Sequence, residues 1–209
     1  MANAHINMAL FLAASWALII APGPDMLYVI TRGISQGRSA GLVSAAGVTV
    51  GLLVHTLAAA LGLAAILHTS AIAFMVVKYM GAAYLIYLGI KSLRDKSALL
   101  PDDDREPMKM RSMFAQGILS NVVNPKIALF FLAFLPQFVD GAAGHVTQQM
   151  LVLGVMFAFF TLLAFSVLGY FAGHFGGWLA SKPNIASRLR WVTGSVMIGL
   201  GVRLALTDR

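Results

Sequence analysis

From Ser39 to Val77 the chain runs for 39 residues without an Asp, Glu, Lys or Arg. As a single α-helix that stretch would reach about 58 Å, roughly twice the ~30 Å hydrocarbon core of a bilayer. It must turn back on itself, and the polar trio His68-Thr69-Ser70 is the natural place, giving one helix from about Ser39 to Leu67 and another from about Ala71 to Ile90. The rest of the chain has the same character. Of 209 residues, 59% are hydrophobic and 11% charged, with a mean hydropathy of +0.81, whereas soluble domains are about half apolar and about a quarter charged. A soluble globule of this size leaves a quarter or more of its surface in water and needs polar residues to cover it. Soluble enzymes and binding modules are thereby excluded.

A further charge-free run, Met150 to Phe171, matches one membrane thickness and gives a third span. The segments Ile6 to Ile30, Met113 to Val139 and Ala186 to Leu206 are apolar but interrupted or short, and they bring the count to six passes. A strand barrel would show alternating segments of about ten residues, and these runs are apolar on all sides. Met1 to Asn7 carries no Lys or Arg, so it lacks the basic start of a secretion signal, and residues 6–30 are expected to stay as the first span.

A net charge of +7 and a pI near 10.1 would ordinarily raise nucleic acid as a partner. The positions of the cations argue otherwise. With six passes, Arg32, Arg38, Lys91, Arg94, Lys96, Arg105, Lys109, Arg111, Lys182, Arg188 and Arg190 all fall on one side. That asymmetry marks the cytoplasmic face and places both termini outside. The opposite face receives only Arg203 and Arg209, and Lys78 and Lys126 lie within spans. The basic balance is a topology signal, and no nucleic-acid partner is expected. The chain has no cysteine, so disulfides, thiolate metal sites and thiol nucleophiles are absent.

The one long polar stretch, Ser97 to Arg111, contains the acidic run Asp102 to Glu106, read as a solvated loop. It divides a single membrane domain into a first three-helix repeat (residues 1–96), a cytoplasmic linker (97–111) and a second three-helix repeat (112–209). An odd number of spans inverts the second half relative to the first. Each half opens with a proline followed directly by a charge, Pro24-Asp25 and Pro125-Lys126. Matched, proline-broken, charge-bearing segments are what transporters built from inverted repeats show, with sites near the bilayer midplane. The expected fold is therefore an all-α integral membrane protein of six helices in two inverted repeats, with a broken first helix in each half.

In Ala21-Pro22-Gly23-Pro24-Asp25 two prolines each remove a backbone donor and a glycine adds freedom, so no continuous helix can pass. Backbone freed at such a break is tolerated only where it is buried in protein or lines a watery cavity. The helix restarting at Pro24 points its positive end back at the break, where a carboxylate could rest. An ionised Asp25 inside a span costs roughly 2.5–3.5 kcal/mol, and Lys126 a similar amount. Two readings stay open: a structural ion pair, or a substrate site in which Asp25 meets an ammonium and Lys126 a carboxylate. Asn121 and Asn124 add neutral hydrogen-bonding groups beside the second break, and Gln137 another farther out. His55 continues the stripe Gly47, Gly51, which lets a neighbouring helix approach closely. It is read as an interhelical hydrogen-bond donor or as a proton carrier. Gly169, Gly173 and Gly177 form a second packing ladder, Lys78 is expected to snorkel outward, and Trp178 and Trp191 bracket the last inner loop as interfacial anchors. There is no Walker-type phosphate loop, zinc-spaced His/Glu pair or Gly-x-Ser-x-Gly elbow.

Several segments together resemble the LysE/RhtB family of bacterial amino-acid exporters. They are Ala21-Pro-Gly-Pro-Asp-Met-Leu-Tyr28, Arg32-Gly-Ile-Ser-Gln-Gly-Arg-Ser-Ala-Gly-Leu42, Gly47-x3-Gly51-x3-His55, Gly81-Ala-Ala-Tyr-Leu-Ile-Tyr-Leu-Gly-Ile-Lys91, Asn121-Val-Val-Asn-Pro-Lys126 and Leu135-Pro-Gln-Phe138. The resemblance covers nearly the whole chain. It implies an inner-membrane exporter of an amino acid or close derivative, driven by the proton gradient, with Asp25 and the Asn124-Pro125-Lys126 motif at a central site. A neutral, homoserine- or threonine-like cargo is favoured, although these motifs do not separate substrates.

The sequence reading is thus a secondary exporter working by alternating access. Substrate binds at Pro22, Gly23, Pro24, Asp25, Asn121, Asn124, Pro125 and Lys126, and protons couple through Asp25 and His55. Its partners are the amino acid, protons and the lipid bilayer, with no cofactor and no metal, and self-association is left open. The competing readings are a membrane-embedded enzyme using Asp25 and His55 as acid and base, and a scaffold without transport activity. A metal-ion carrier is disfavoured by the lack of Cys and the single intramembrane carboxylate.

Overall fold

The computed structural model describes residues 2–63, 71–94, 108–140, 144–172 and 183–206, and every element among them is helical. In chain order these are α1 (Ala2–Ile20), α2 (Pro24–Gln36), α3 (Arg38–Ala58) continued by a π turn (Ala59–Leu63), α4 (Ala71–Arg94) and α5 (Met110–Val122). Then come α6 (Pro125–Leu129), a π turn (Phe130–Phe134) and a 3-10 turn (Leu135–Phe138), followed by α7 (Val146–Tyr170) and α8 (Pro183–Leu206). The polar trio at 68–70, the acidic run at 102–106, Gly173, Gly177, Trp178 and Lys182 lie outside the described residues, as does most of the linker.

Two helices, Arg38–Gly62 and Val146–Tyr170, are each long and apolar enough to cross a membrane. Two bent pairs pass the same test as units: Met8–Ile20 with Pro24–Gln36, bent by 52°, and Met110–Val122 with Pro125–Phe138, bent by 48°. The described residues therefore show between two and four candidate spans, where the sequence suggested six. α4 and α8, 24 residues each, pack against one another. α7 shows why such a chain needs lipid. Its buried side includes Leu153, Phe157, Thr161 and Phe165, while its opposite stripe, Val152, Val155, Phe159, Leu163 and Val167, is apolar and exposed. A helix apolar on both faces suits a bilayer and not water.

Both bends have covalent causes. Pro22 and Pro24 cannot donate to the carbonyls four residues back, and Gly23 is fully extended at φ −169°. Pro125 likewise ends α5 and takes the first position of α6. Pro136 withholds a fourth N–H, and the chain around it passes from the π turn into the 3-10 turn.

Small residues fix how closely the helices sit. α3 packs on α5 so tightly that a methyl on Gly47 would come within 2.3 Å of the Phe114 carbonyl oxygen. A methyl on Gly117 would meet Ser44 O at 2.9 Å. On the other side of α3, a methyl on Gly41 would come within 2.4 Å of Gly169 O on α7. Of the two glycine stripes read from the sequence, Gly47 and Gly51 lie at the α3–α5 contact and Gly169 lies at the α3–α7 contact, as packing without side chains allows. Phe11, Phe130, Phe131, Phe134 and Phe157 fill the core. Lys78 departs from the expectation that it would snorkel: it is 7% exposed, with its ammonium 5.1 Å from the Tyr79 ring centroid. Trp191 is exposed, as an interfacial residue would be.

Substituting Gly47 with Ala is expected to lower stability by about 1–3 kcal/mol, because the opposing group is backbone and cannot move aside. Gly199, which has nothing within 4 Å of the added methyl, should accept Ala with no loss, since Ala is the better helix former. Thermal unfolding of the detergent-solubilised proteins compares the two.

Candidate functional site

The two breaks meet in space, and each holds the charge carried by the other. Asp25, in the first turn of α2, is 5% exposed. Its carboxylate accepts from Asn121 Nδ2 at 2.7 Å and Asn124 Nδ2 at 2.8 Å, both to Oδ2, and from Ser120 Oγ at 3.1 Å to Oδ1. All three donors come from the end of α5 and the break that follows. Two buried bonds to a charged acceptor, about 1.5–3 kcal/mol each, are enough to offset the cost of placing the carboxylate there.

Lys126, at the start of α6, is 8% exposed. Its ammonium donates to Ala21 O at 3.1 Å and Leu18 O at 3.4 Å, at the end of α1. The prolines explain why those acceptors are free. Leu18 O would have received the N–H that Pro22 lacks, and Ala21 O is orphaned by the break itself. A cation on the last carbonyls of α1 also complements the helix dipole, as does Asp25 in the first turn of α2. Asp25 and Lys126 therefore do not form the direct ion pair that one sequence reading allowed. Each is satisfied separately, by neutral groups of the opposite repeat.

Gly23 needs its missing side chain for space. A Cβ there would stand 2.9 Å from Lys126 Nζ, whereas its extended backbone is open to any residue. This corrects the expectation that Gly23 supplies conformational freedom. Asn124 does two things: its Oδ1 accepts from Lys126 N at 3.0 Å, capping α6, while its Nδ2 binds Asp25. Asn121 is wholly buried and packs against Gly51.

His55 joins through the backbone. Nε2 donates to Asn121 O at 3.0 Å, and the ring stacks on Phe131 with centroids 5.8 Å apart. Asn121 O is the carbonyl that Pro125 leaves without its usual helical donor. His55 is thus the interhelical donor expected from the glycine stripe. It reaches Asp25 only by way of Asn121, which takes away the direct acid–base contact that an enzyme reading would use. Gln137 is not part of the cluster; it donates locally to Ala133 O at 3.3 Å.

Pro22, Gly23, Pro24, Asp25, Asn121, Asn124, Pro125, Lys126 and His55 are all brought together at the two breaks. Sequence reasoning missed Ser120, whose position next to Asn121 and one helical turn before Asn124 was the available signal. It also missed a set of contacts within α2 and from α2 to α5 and the residues just before it. Tyr28 OH donates to Met113 O at 2.7 Å. Arg32 donates to Gln36 Oε1 at 3.2 Å and Gln116 Oε1 at 3.1 Å. Gln36 exchanges bonds with the backbone of Met108, donating to its O at 2.9 Å and accepting from its N at 3.0 Å. Among the described residues no group of three or more His, Cys, Asp or Glu could hold a metal ion.

A family profile described as LysE type translocator matches residues 16–208. An uncharacterized membrane protein of Vibrio cholerae is 34% identical over 203 residues, covering 96% of this chain and 97% of that protein. The membrane protein YrhP of Bacillus subtilis is 32% identical over 199 residues, covering 91% and 94%. A leucine efflux protein of Salmonella typhimurium is 29% identical over 207 residues, covering 96% and 95%. No solved structure matches.

Removing the double contact of Asn124 should cost more than removing the outlying bond of Ser120. Asn124→Ala is expected to lose about 2–4 kcal/mol, a charge-assisted bond plus a helix cap, and Ser120→Ala about 0.5–1.5 kcal/mol. Unfolding in detergent measures both, and equal losses would contradict the geometry described.

Proposed function

The chain belongs to the LysE type translocator family, and we propose that it exports a neutral amino acid across the bacterial inner membrane by proton-coupled alternating access. The observation that carries the proposal is the crosswise bonding of two buried, oppositely charged side chains at two helix breaks. A zwitterion offers the two groups that could replace those bonds. Its carboxylate would draw Lys126 from the Leu18 and Ala21 carbonyls and rest on the first turn of α2, which has no side-chain cap. Its ammonium would take Asp25 from the amides of Asn121 and Asn124. Neither buried charge is left alone during the exchange, which avoids the largest cost of opening such a site. Protonation of Asp25 from outside would weaken its hold on the ammonium and release the substrate, with His55 beside it on Asn121.

The order of elements supports the inverted-repeat reading. Each half has a bent pair, then a long apolar helix, then a helix of 24 residues. Counterparts also face each other: α3 packs on α7, and α4 on α8. We therefore place six spans in two inverted repeats, the eleven clustered cations inside and both termini outside. Leucine heads the candidate substrates, because relatives matched along nearly their whole length are named leucine efflux proteins; homoserine and threonine follow.

Cells loaded with a panel of amino acids should release leucine, or another neutral amino acid, faster with this protein than without it. Lys126→Met should abolish release at normal membrane levels, and Asp25→Asn should remove its dependence on the proton gradient. Release that is unchanged in Asp25→Asn, at every external pH, would overturn the proton role. Loss of Lys126→Met from the membrane would assign that residue to folding instead.

A further inference from the structure

Arg32 is 3% exposed, and among the described residues no carboxylate bonds its guanidinium. Among the described residues its bonds run to the neutral amide oxygens of Gln36 and Gln116, its ring neighbour is Tyr28 at 5.8 Å, and its Nε has no partner there. A buried cation held by two neutral acceptors is under-compensated, and a guanidinium fork fits a carboxylate better than any other acceptor. Gln116, which accepts from it, is exposed, and so are Arg38, Lys109 and Arg111, near the C-terminal end of α2 and the start of α5.

α2 and α5 run antiparallel, since Asp25 meets Asn121, Arg32 meets Gln116 and Gln36 meets Met108. Where α3 meets α5 glycine to backbone, α2 is joined to α5 along this seam by the long side chains of Tyr28, Arg32 and Gln36. Arg32 lies about two helical turns from Asp25 on the same helix, roughly 10 Å at 1.5 Å per residue, toward the end where the cations cluster.

We propose that Arg32 is a carboxylate-binding station on the cytoplasmic approach to the central site. An amino acid arriving from inside presents its carboxylate to the guanidinium, displaces the Gln116 and Gln36 oxygens, and so releases the one bond by which Arg32 ties α2 to α5 ahead of transfer to Lys126. The exposed cations Arg38, Lys109 and Arg111 nearby favour carboxylate-first approach. This inference rests on the exporter reading.

The test uses the full chain reconstituted in liposomes, with radiolabelled leucine presented to the cytoplasmic face. Arg32→Gln should raise the leucine KM about 10- to 100-fold, the worth of a charge-assisted pair, and Arg32→Lys should recover part of it. Gln116→Ala should lower KM, because a competing acceptor is gone. Inhibition by leucinamide, which has no carboxylate, should be unchanged in Arg32→Gln. An unchanged leucine KM in a folded Arg32→Gln, equal effects on leucine and leucinamide, or a Gln116→Ala whose KM does not fall would each overturn the inference. The last of these remains decisive should Arg32→Gln fail to fold. An Arg32 effect seen only when phosphatidylglycerol is added to phosphatidylcholine liposomes would assign the guanidinium to a lipid phosphate and overturn it too. Wild-type liposomes that move none of the amino-acid panel would overturn the exporter reading first, and this inference with it.

Discussion

The structure turns on the exchange of partners between two broken helices. Prolines at the two breaks withdraw helical donors from carbonyls there, and side chains from elsewhere reach Leu18 O, Ala21 O and Asn121 O, the last of which also accepts from Asn124 N. Lys126 takes the end of α1, and His55 takes the end of α5. In return the amide side chains of Asn121 and Asn124 take the carboxylate of Asp25. An unpartnered backbone carbonyl and an unpartnered charge are each costly away from water. Placing them against one another removes both costs with a single contact.

That exchange requires close approach, which the glycines provide. Gly51 lets Asn121 sit within reach of α3, Gly23 leaves room for the Lys126 ammonium, and Gly47 with Gly117 brings α3 and α5 nearly backbone to backbone. The arrangement is tight and at the same time replaceable, because every bond to the two charges is a hydrogen bond from or to a neutral group. A ligand carrying a carboxylate and an ammonium can substitute for those bonds at matched charge. An apolar core in the same place would hold the fold but could not be exchanged.

Much of this was legible in the chain itself. Prolines 22, 24 and 125 forecast the breaks, because a missing N–H acts locally and needs no tertiary context. Asp25 and Lys126 stood out because an ion inside an apolar run must have a reason. The partners of those ions were less legible. Whether Lys126 would meet Asp25 or a carbonyl depends on the relative offset of two segments a hundred residues apart, which composition does not encode. Ser120 was overlooked because serine in a span is usually a packing residue, and Arg32 was counted only as a topological cation. Gly23 looked like a residue chosen for freedom and proved to be chosen for size. Lys78 was read from its place near a helix end, whereas its burial depends on the neighbours that surround that end.

The claim that a substrate ammonium replaces the Asn121 and Asn124 amides on Asp25 can be observed at the carboxylate. Infrared difference spectra of the reconstituted protein, recorded with and without leucine and with 13C-labelled aspartate, report the hydrogen bonding of that group. The account predicts a leucine-induced shift of one carboxylate stretch that is absent in Asp25→Asn. Leucine binding that leaves the Asp25 band unmoved would contradict it.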